Sequence, residues 1–407
     1  MMKKTTKIVF LLTCLFFLSS LFFTMQQARA KDKKEILIGT HMPLSGLGAF
    51  TGEEQKWAYE QAVADINKAG GIYVKEYGKK LPVRLYEIDD ESNPTKAAAA
   101  VERLIKRVKV DLILSGQVGA MGVLPGMITA EKYHKYYHGA VIWVPQFLQQ
   151  HFKYCTMYFM DPGQGAAMVF EVWNSLPEKD HPKRPALFLE DTFDGKTIGN
   201  VMESLAPKFG YKFVLRLTMP MGAKDFTSQI LKAKGAKVDG IFCMSNVPEA
   251  VTLVRQMKEN RFSVKAFQGF KGTWPSNFYK SLGKDADYIL CDGFWSIDYP
   301  YKGAKELGER FYKDFGRYST NVGMYYAVAQ ILWQAIEKAG TLDDLKVRQA
   351  VLDNKFETVN GPADYDERGI ALFPLGDNQW LNGKRRNIYP FDLAKYKIMV
   401  IPPWDKR

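Results

Sequence analysis

The chain has 407 residues, 46% of them hydrophobic and 25% charged, which excludes a disordered tail or a miniature scaffold and suits two globular units with cores of their own. Its net charge of +12 is spread along the sequence, which argues against the concentrated basic face of a dedicated nucleic-acid binder.

The first thirty residues read as a secretory signal. "MMKKTTK" is a basic start, "IVFLLTCLFFLSSLFF" an apolar centre, and small residues end the segment at Ala30. The apolar run from Ile8 to Phe23 is short for a membrane span, so cleavage after Ala30 and a periplasmic mature chain are expected. Lipid attachment at Cys14 is the rival, but Thr13 precedes that cysteine and the apolar run continues beyond it. Removing the leader's Lys3, Lys4, Lys7 and Arg29 from the 56 basic residues leaves 52 against 44 acidic, a net charge of +8. The remaining cysteines, Cys155, Cys243 and Cys291, are odd in number and widely spaced. One bridge with a free thiol and three buried thiols both stay open.

The first strand is read over 35–41, "EILIGTH". The helix after it carries Ala58, Ala62, Ile66 and Ala69 on one face and stops at Gly70 and Gly71. A strand over 81–89 leads to "NPTKAAAAVERLIKRV", with Asn93 as N-cap and Pro94 in the first turn. Strands over 110–116 and 139–145 follow. Between them "EKYHKYYHG" places His134 and His138 four apart on a predicted helix, read as a solvated face because no third metal ligand is near. No clean period runs through 149–165, where a domain crossing is placed. Strands resume over 184–190, 211–219, 238–245, 264–270 and 286–294. After Phe294 the pattern turns helical, and "GPADYDERGIALFPLGDNQW" reads as short turn-bounded strands. Near-continuous apolar strands imply parallel sheets covered on both faces, and nine of them exceed one open sheet.

Gly46, Gly48 and Gly52 follow the first strand as GxGxxxG, a weak match to a dinucleotide fingerprint. The spacing is one residue long, and Asp89 and Asp90 come about 37 residues after Gly52 where an acid about 20 residues on is expected. The turn instead offers backbone amides, a helix amino terminus and the hydroxyls of Ser45 and Thr51 to an anionic group, or it is simply a tight packing turn.

"IGTHMPLSGLGAFTGEEQKWAYEQAVADINKAGGI", "DDESNPTKAAAAVERLI", "DFTSQILKAKGAKVDGIF", "VPEAVTLVRQMKENRF" and "TVNGPADYDERG" occur in that order. Together they resemble the type I periplasmic binding proteins of the branched-chain amino acid transporter family, the leucine/isoleucine/valine-binding type. The resemblance implies an α/β fold of two doubly wound parallel-sheet lobes joined by three hinge crossings. Lobe 1 is expected over 31–153 plus 295–361 and lobe 2 over 154–294 plus 362–407. It further implies closure on a small solute, delivery to an ABC permease in the inner membrane, a monomer, no cofactor and no nucleic-acid partner.

By the same resemblance, Phe50 and Thr51 lie where an aromatic covers the ligand, and Gly119 and Ala120 where small residues hold its carboxylate. Gln146, Phe147 and Leu148 replace an Ala-x-Thr pattern. In lobe 2, Phe193 and Asp194 replace a covering tyrosine, Asn246 takes another aromatic position, and Lys271 stands where amino-acid binders have an acid for the ligand ammonium. That exchange favours an organic acid, an aromatic one included, with Phe50, Phe147, Phe193 and Trp274 as stacking walls. Glu190, Asp191 or Asp194 would instead recover an ammonium site. With no GxSxG and no recognisable triad, catalysis is not expected. The alternative is a ligand-sensing receptor of the same fold.

Overall fold

The computed structural model describes residues 33–407 apart from Leu47, Val118 and Ala120. The expected leader, with Cys14, lies outside the described residues. The strands are β1 (Ile36–Met42), β2 (Ile72–Val74), β3 (Lys79–Leu81), β4 (Val83–Asp89), β5 (Leu112–Leu114), β6 (Tyr137–Ala140), β7 (Cys155–Tyr158), β8 (Pro185–Glu190) and β9 (Leu215–Met219). They continue as β10 (Gly240–Ser245), β11 (Ala266–Lys271), β12 (Leu290–Gly293), β13 (Lys355–Thr358), β14 (Gly361–Asp364), β15 (Ile370–Ala371), β16 (Gly376–Leu381) and β17 (Lys384–Tyr389).

Two sheets carry the architecture. The first runs β15-β7-β6-β5-β1-β4 with parallel pairings throughout. The second runs β17-β16-β12-β11-β10-β8-β9, parallel from β9 to β12 and antiparallel through β16 and β17. The pairs β2/β3 and β13/β14 form small antiparallel hairpins. This is the doubly wound α/β class. Strands β8 and β10 are buried along their whole length because helices cover both faces. Alternate residues therefore feed two cores: Leu187, Leu189, Phe242 and Met244 point into one, and Ala186, Phe188, Ile241 and Cys243 into the other.

Local signals explain the helices. Helix Ala49–Lys68 ends where Gly70 and Gly71 adopt φ of +92° and +90°, which relieves the left-handed turn of any Cβ. Asn93 caps helix Pro94–Arg103 by accepting from the amides of Thr95 and Lys96. Helix Val322–Ala339, mostly buried, packs against Ala49–Lys68. Among the described residues no helix is long and apolar enough to cross a membrane.

The chain passes between the sheets three times: after β7, after β12 and after β15. Strands β7 and β15, which the expected lobe boundaries assign to lobe 2, hydrogen-bond into the first sheet. The irregular 149–165 stretch contains β7 and the start of helix Pro162–Asn174, because a four-residue strand is too short to show its period. The strand read over 139–145 stops at Ala140, and Val144–Leu148 turns helical. His134 and His138 share no helix face. His138 is buried in β6, its Nδ1 2.8 Å from the Tyr136 hydroxyl and 3.1 Å from Thr156 Oγ1, and burial lowers its pKa to about 3. Cys155, Cys243 and Cys291 are free and buried.

Candidate ligand-binding site

In each sheet one strand has neighbours reached by connections in opposite directions: β1 lies between β4 and β5, and β8 between β9 and β10. At such a point the loops leaving the carboxyl ends of the strands diverge and open a crevice. The two crevices adjoin. Phe50, just after β1, and Trp274, just after β11, place their ring centroids 5.7 Å apart with planes tilted by 52°.

On the first-sheet side, the loop after β1 is held from within the chain. The amides of Leu44 and Ser45 donate to Asp89 Oδ1 at 2.9 and 3.3 Å, and Ser45 Oγ donates to Oδ2 at 2.8 Å. Burial pushes the Asp89 carboxyl up, but these bonds and one from the Glu91 amide outweigh it and hold the carboxyl below the ordinary range. The Gly48 amide is taken by Ser92 Oγ at 2.9 Å, and the Thr51 hydroxyl donates to the Gly48 carbonyl at 2.7 Å. Asp89, Ser92 and the Gly48 carbonyl thus take up donors of this turn that a phosphate would use. Gly52 serves packing, since a Cβ there would lie 2.0 Å from the Pro43 carbonyl oxygen.

The loop after β5 rests on a buried chain of donors. The Gly116 amide donates to the Tyr137 hydroxyl at 2.7 Å, which lies 2.8 Å from His41 Nε2, while His41 Nδ1 lies 2.8 Å from Asp90 Oδ2. Every proton finds an acceptor when His41 carries its hydrogen on Nδ1. Gly116 and Gly126 fit over the imidazole, where a Cβ would come within 2.3 and 2.5 Å of ring atoms. Gly119 lies in this loop with φ of +23°, and Ala120 lies outside the described residues. After β6, Gln146 is buried and its Oε1 has no hydrogen-bond partner among the described residues. Phe147 turns inward against Phe152, ring centroids 5.4 Å apart, and Leu148 packs on the same core.

On the second-sheet side the charges gather. Lys271 ends β11 with φ of +68°, and its Nζ lies 2.9 and 3.0 Å from the two carboxylate oxygens of Glu190 at the end of β8. Its amide donates to Asp292 Oδ1 at 3.2 Å. Asp194, in the first turn of helix Phe193–Leu205, keeps a buried Oδ1 without a partner among the described residues. Burial pushes its carboxyl above the ordinary range, with Lys271 pulling back and Glu190 pushing further. The expected charge reversal at Lys271 is therefore offset by Glu190. Asp191 pairs outward with Lys196 at 2.9 Å, both side chains largely exposed. Phe193 is half exposed, and Asn246 caps helix Val247–Glu259 without a side-chain hydrogen bond to it.

Three phenylalanines escaped the sequence reading. Phe159, Phe294 and Phe373 sit one on each passage between the sheets, with ring centroids 5.3 to 5.8 Å apart in all three pairs. The available signal was an aromatic within two residues of the end of each of the strands β7, β12 and β15.

Residues 35–374 match the family model described as periplasmic binding protein. Leu/Ile/Val-binding protein homolog 1 of Brucella abortus (strain 2308) is 25% identical over 352 residues, covering 84% of this chain and 88% of that protein. Among solved structures, the branched-chain amino acid transporter substrate binding protein LivJ from Streptococcus pneumoniae, in complex with isoleucine, aligns with a TM-score of 0.75 at 20% identity, covering 86% of this chain and 98% of its own. A solute binding protein of an ABC transporter from Rhodopseudomonas palustris BisB5, in complex with 3,4-dihydroxy benzoic acid, aligns with a TM-score of 0.73 at 19% identity, covering 92% and 100%. The structural likenesses establish the fold.

Proposed function

The chain belongs to the periplasmic binding protein family, and on that basis we propose that it is the extracytoplasmic solute-binding protein of an ABC importer of the branched-chain amino acid type. It binds a small carboxylate-bearing solute without transforming it, is exported by a signal cleaved after Ala30, and hands its solute to an inner-membrane permease. The observation that carries this reading is the Phe50–Trp274 contact, which brings the carboxyl-end crevices of the two sheets together around one site. The lobes meet at the passages marked by Phe159, Phe294 and Phe373, and hinge bending there opens and closes the site.

An α-amino acid is the solute class that the charges favour. Glu190 and Asp194 supply two carboxyls against the single ammonium of Lys271, and Asp194 Oδ1 and Gln146 Oε1 are buried acceptors that want donors. A solute ammonium provides such donors, and the proposed seat of the carboxylate is at Gly119 and Ala120. A second reading, an aromatic acid, draws on the Phe50 and Trp274 rings and on the fold it shares with the protein holding 3,4-dihydroxy benzoic acid. Calorimetric titration with leucine and with 3,4-dihydroxybenzoate tests the proposal: saturable one-site binding of either supports it, and binding of neither together with tight binding of an uncharged sugar contradicts it.

A further inference from the structure

Arg385 lies on β17, opposite Trp380 of β16, with its guanidinium 5.2 Å from the centre of that indole ring. It lies outside every motif discussed above, five residues beyond the end of "GPADYDERGIALFPLGDNQW". Nη1 donates to the Trp274 carbonyl at 2.5 Å and to Thr320 Oγ1 at 3.4 Å, and Nη2 donates to the Tyr318 carbonyl. The Trp380 indole N–H donates to the Thr273 carbonyl at 2.7 Å. Two neighbouring side chains of the β16–β17 hairpin thus hold two consecutive carbonyls of the loop that carries Trp274.

The far end of this bridge is anchored as firmly. Glu54, one turn beyond Phe50 on the same helix, accepts from Arg317, from Ser319 Oγ at 2.6 Å and from Asn321 Nδ2 at 3.3 Å, and Arg317 also reaches Glu53 at 2.8 Å. Tyr318 and Thr320 are therefore fixed to the helix that presents Phe50. The contacts close a loop: Phe50 to Trp274 by ring contact, Trp274 to Arg385 by its carbonyl, Arg385 to Tyr318 and Thr320, and that segment back to the Phe50 helix through Glu54. The guanidinium reaches these acceptors from two separate nitrogens held in one plane, a spread that the single ammonium of a lysine reproduces only in part.

We propose that Arg385 is a positioning residue of the solute site: it fixes the Trp274 wall against Phe50 and ties it to the first-sheet side, so solute affinity depends on a residue that does not touch the solute. This rests on the solute-binding reading above. The test compares Arg385→Met and Arg385→Lys in the wild-type and Trp274→Ala backgrounds, titrating leucine and 3,4-dihydroxybenzoate, with 5-fluorotryptophan labelling and 19F NMR to follow the Trp274 resonance in the unliganded protein. Arg385→Met is expected to weaken binding about tenfold, Arg385→Lys by less, and neither to weaken it further once Trp274 is alanine. The Trp274 resonance should shift or broaden in both variants. Equal losses in the two backgrounds, or an unchanged affinity with an unmoved Trp274 resonance, overturn the proposal. If Arg385→Met does not fold, Arg385→Lys decides by the same readouts. If the wild-type protein binds neither probe, the Trp274 resonance alone upholds or overturns the positioning role, and the solute reading is decided separately by the titrations described above.

Discussion

The ammonium of Lys271 bridges both carboxylate oxygens of Glu190, at 2.9 and 3.0 Å, across the gap between the ends of β11 and β8. The Glu190 side chain is 2% exposed and that of Lys271 39%, so the two partners differ in what they lose when separated. Removing the lysine strands a buried carboxylate, whereas removing the glutamate frees a half-exposed ammonium. Lys271→Met is therefore expected to cost about 1–3 kcal/mol, allowing for solvent screening at the exposed lysine, and Glu190→Gln less. Adding Glu190→Gln to Lys271→Met should recover part of the loss. Thermal unfolding of the single and double variants checks this; strictly additive losses would falsify the pairing.

Asp194 should set preference rather than fold stability. Asp194→Asn is expected to lower the ratio of affinities for leucine and 4-methylpentanoate, its deaminated counterpart, about tenfold, because a charge-assisted bond to the ammonium is weakened. Titration of both compounds reads this ratio. An unchanged ratio would remove Asp194 from the ammonium seat.

Asp292 gives the site a pH signature. It is buried at the end of β12, directly opposite the buried Asp377 of β16, and burial raises its pKa to about 7. A carboxyl whose folded pKa lies above its unfolded value stabilises while it is neutral, and that contribution is lost as pH rises from about 4 through 7. Asp292→Asn keeps the neutral form at all pH values. Its unfolding free energy should therefore gain on that of the wild type between pH 4 and 8, by on the order of 2 to 4 kcal/mol in total. Parallel pH curves for the two proteins would contradict the assignment.

Phe294 contacts both other passage phenylalanines and also Trp274, whose ring centre is 6.4 Å away. Phe294→Ala is expected to cost about 3 kcal/mol through the cavity it leaves and to loosen the relation of the two sheets. Unfolding reads the first effect, and a larger radius of gyration by solution scattering reads the second. Lost stability with unchanged scattering would make Phe294 a core residue with no hinge role.

The doubly wound fold was legible because buried parallel strands leave continuous apolar runs, as "RPALFLE" and "VDGIFCMS" do, and because caps such as Asn93 act within a few residues. Strand β7 was hidden, since four residues show no period and its pairing with β6 is decided at a distance. His138 misled because its four-residue spacing from His134 suits a helix, while its tertiary partners Tyr136 and Thr156 place it in a strand. At the site, Lys271 and Glu190 were both legible as charges but not as a pair; they lie 81 residues apart, and sequence spacing does not say which of Glu190, Asp191 and Asp194 meets the lysine. The glycines after β1 resembled an anion cradle, and only the bonds from that loop to Asp89 show that its donors are already occupied.

The most direct measurement is a thermal-shift panel of leucine, isoleucine, phenylalanine and 3,4-dihydroxybenzoate, each beside its amide or methyl ester. A solute that binds only the folded protein stabilises it by mass action, by about 2.7 kcal/mol at a hundredfold excess over Kd. At least one free acid should raise the unfolding midpoint while its masked counterpart does not. Equal shifts from acid and masked acid, or no shift from any acid, would contradict a site built for a carboxylate-bearing solute.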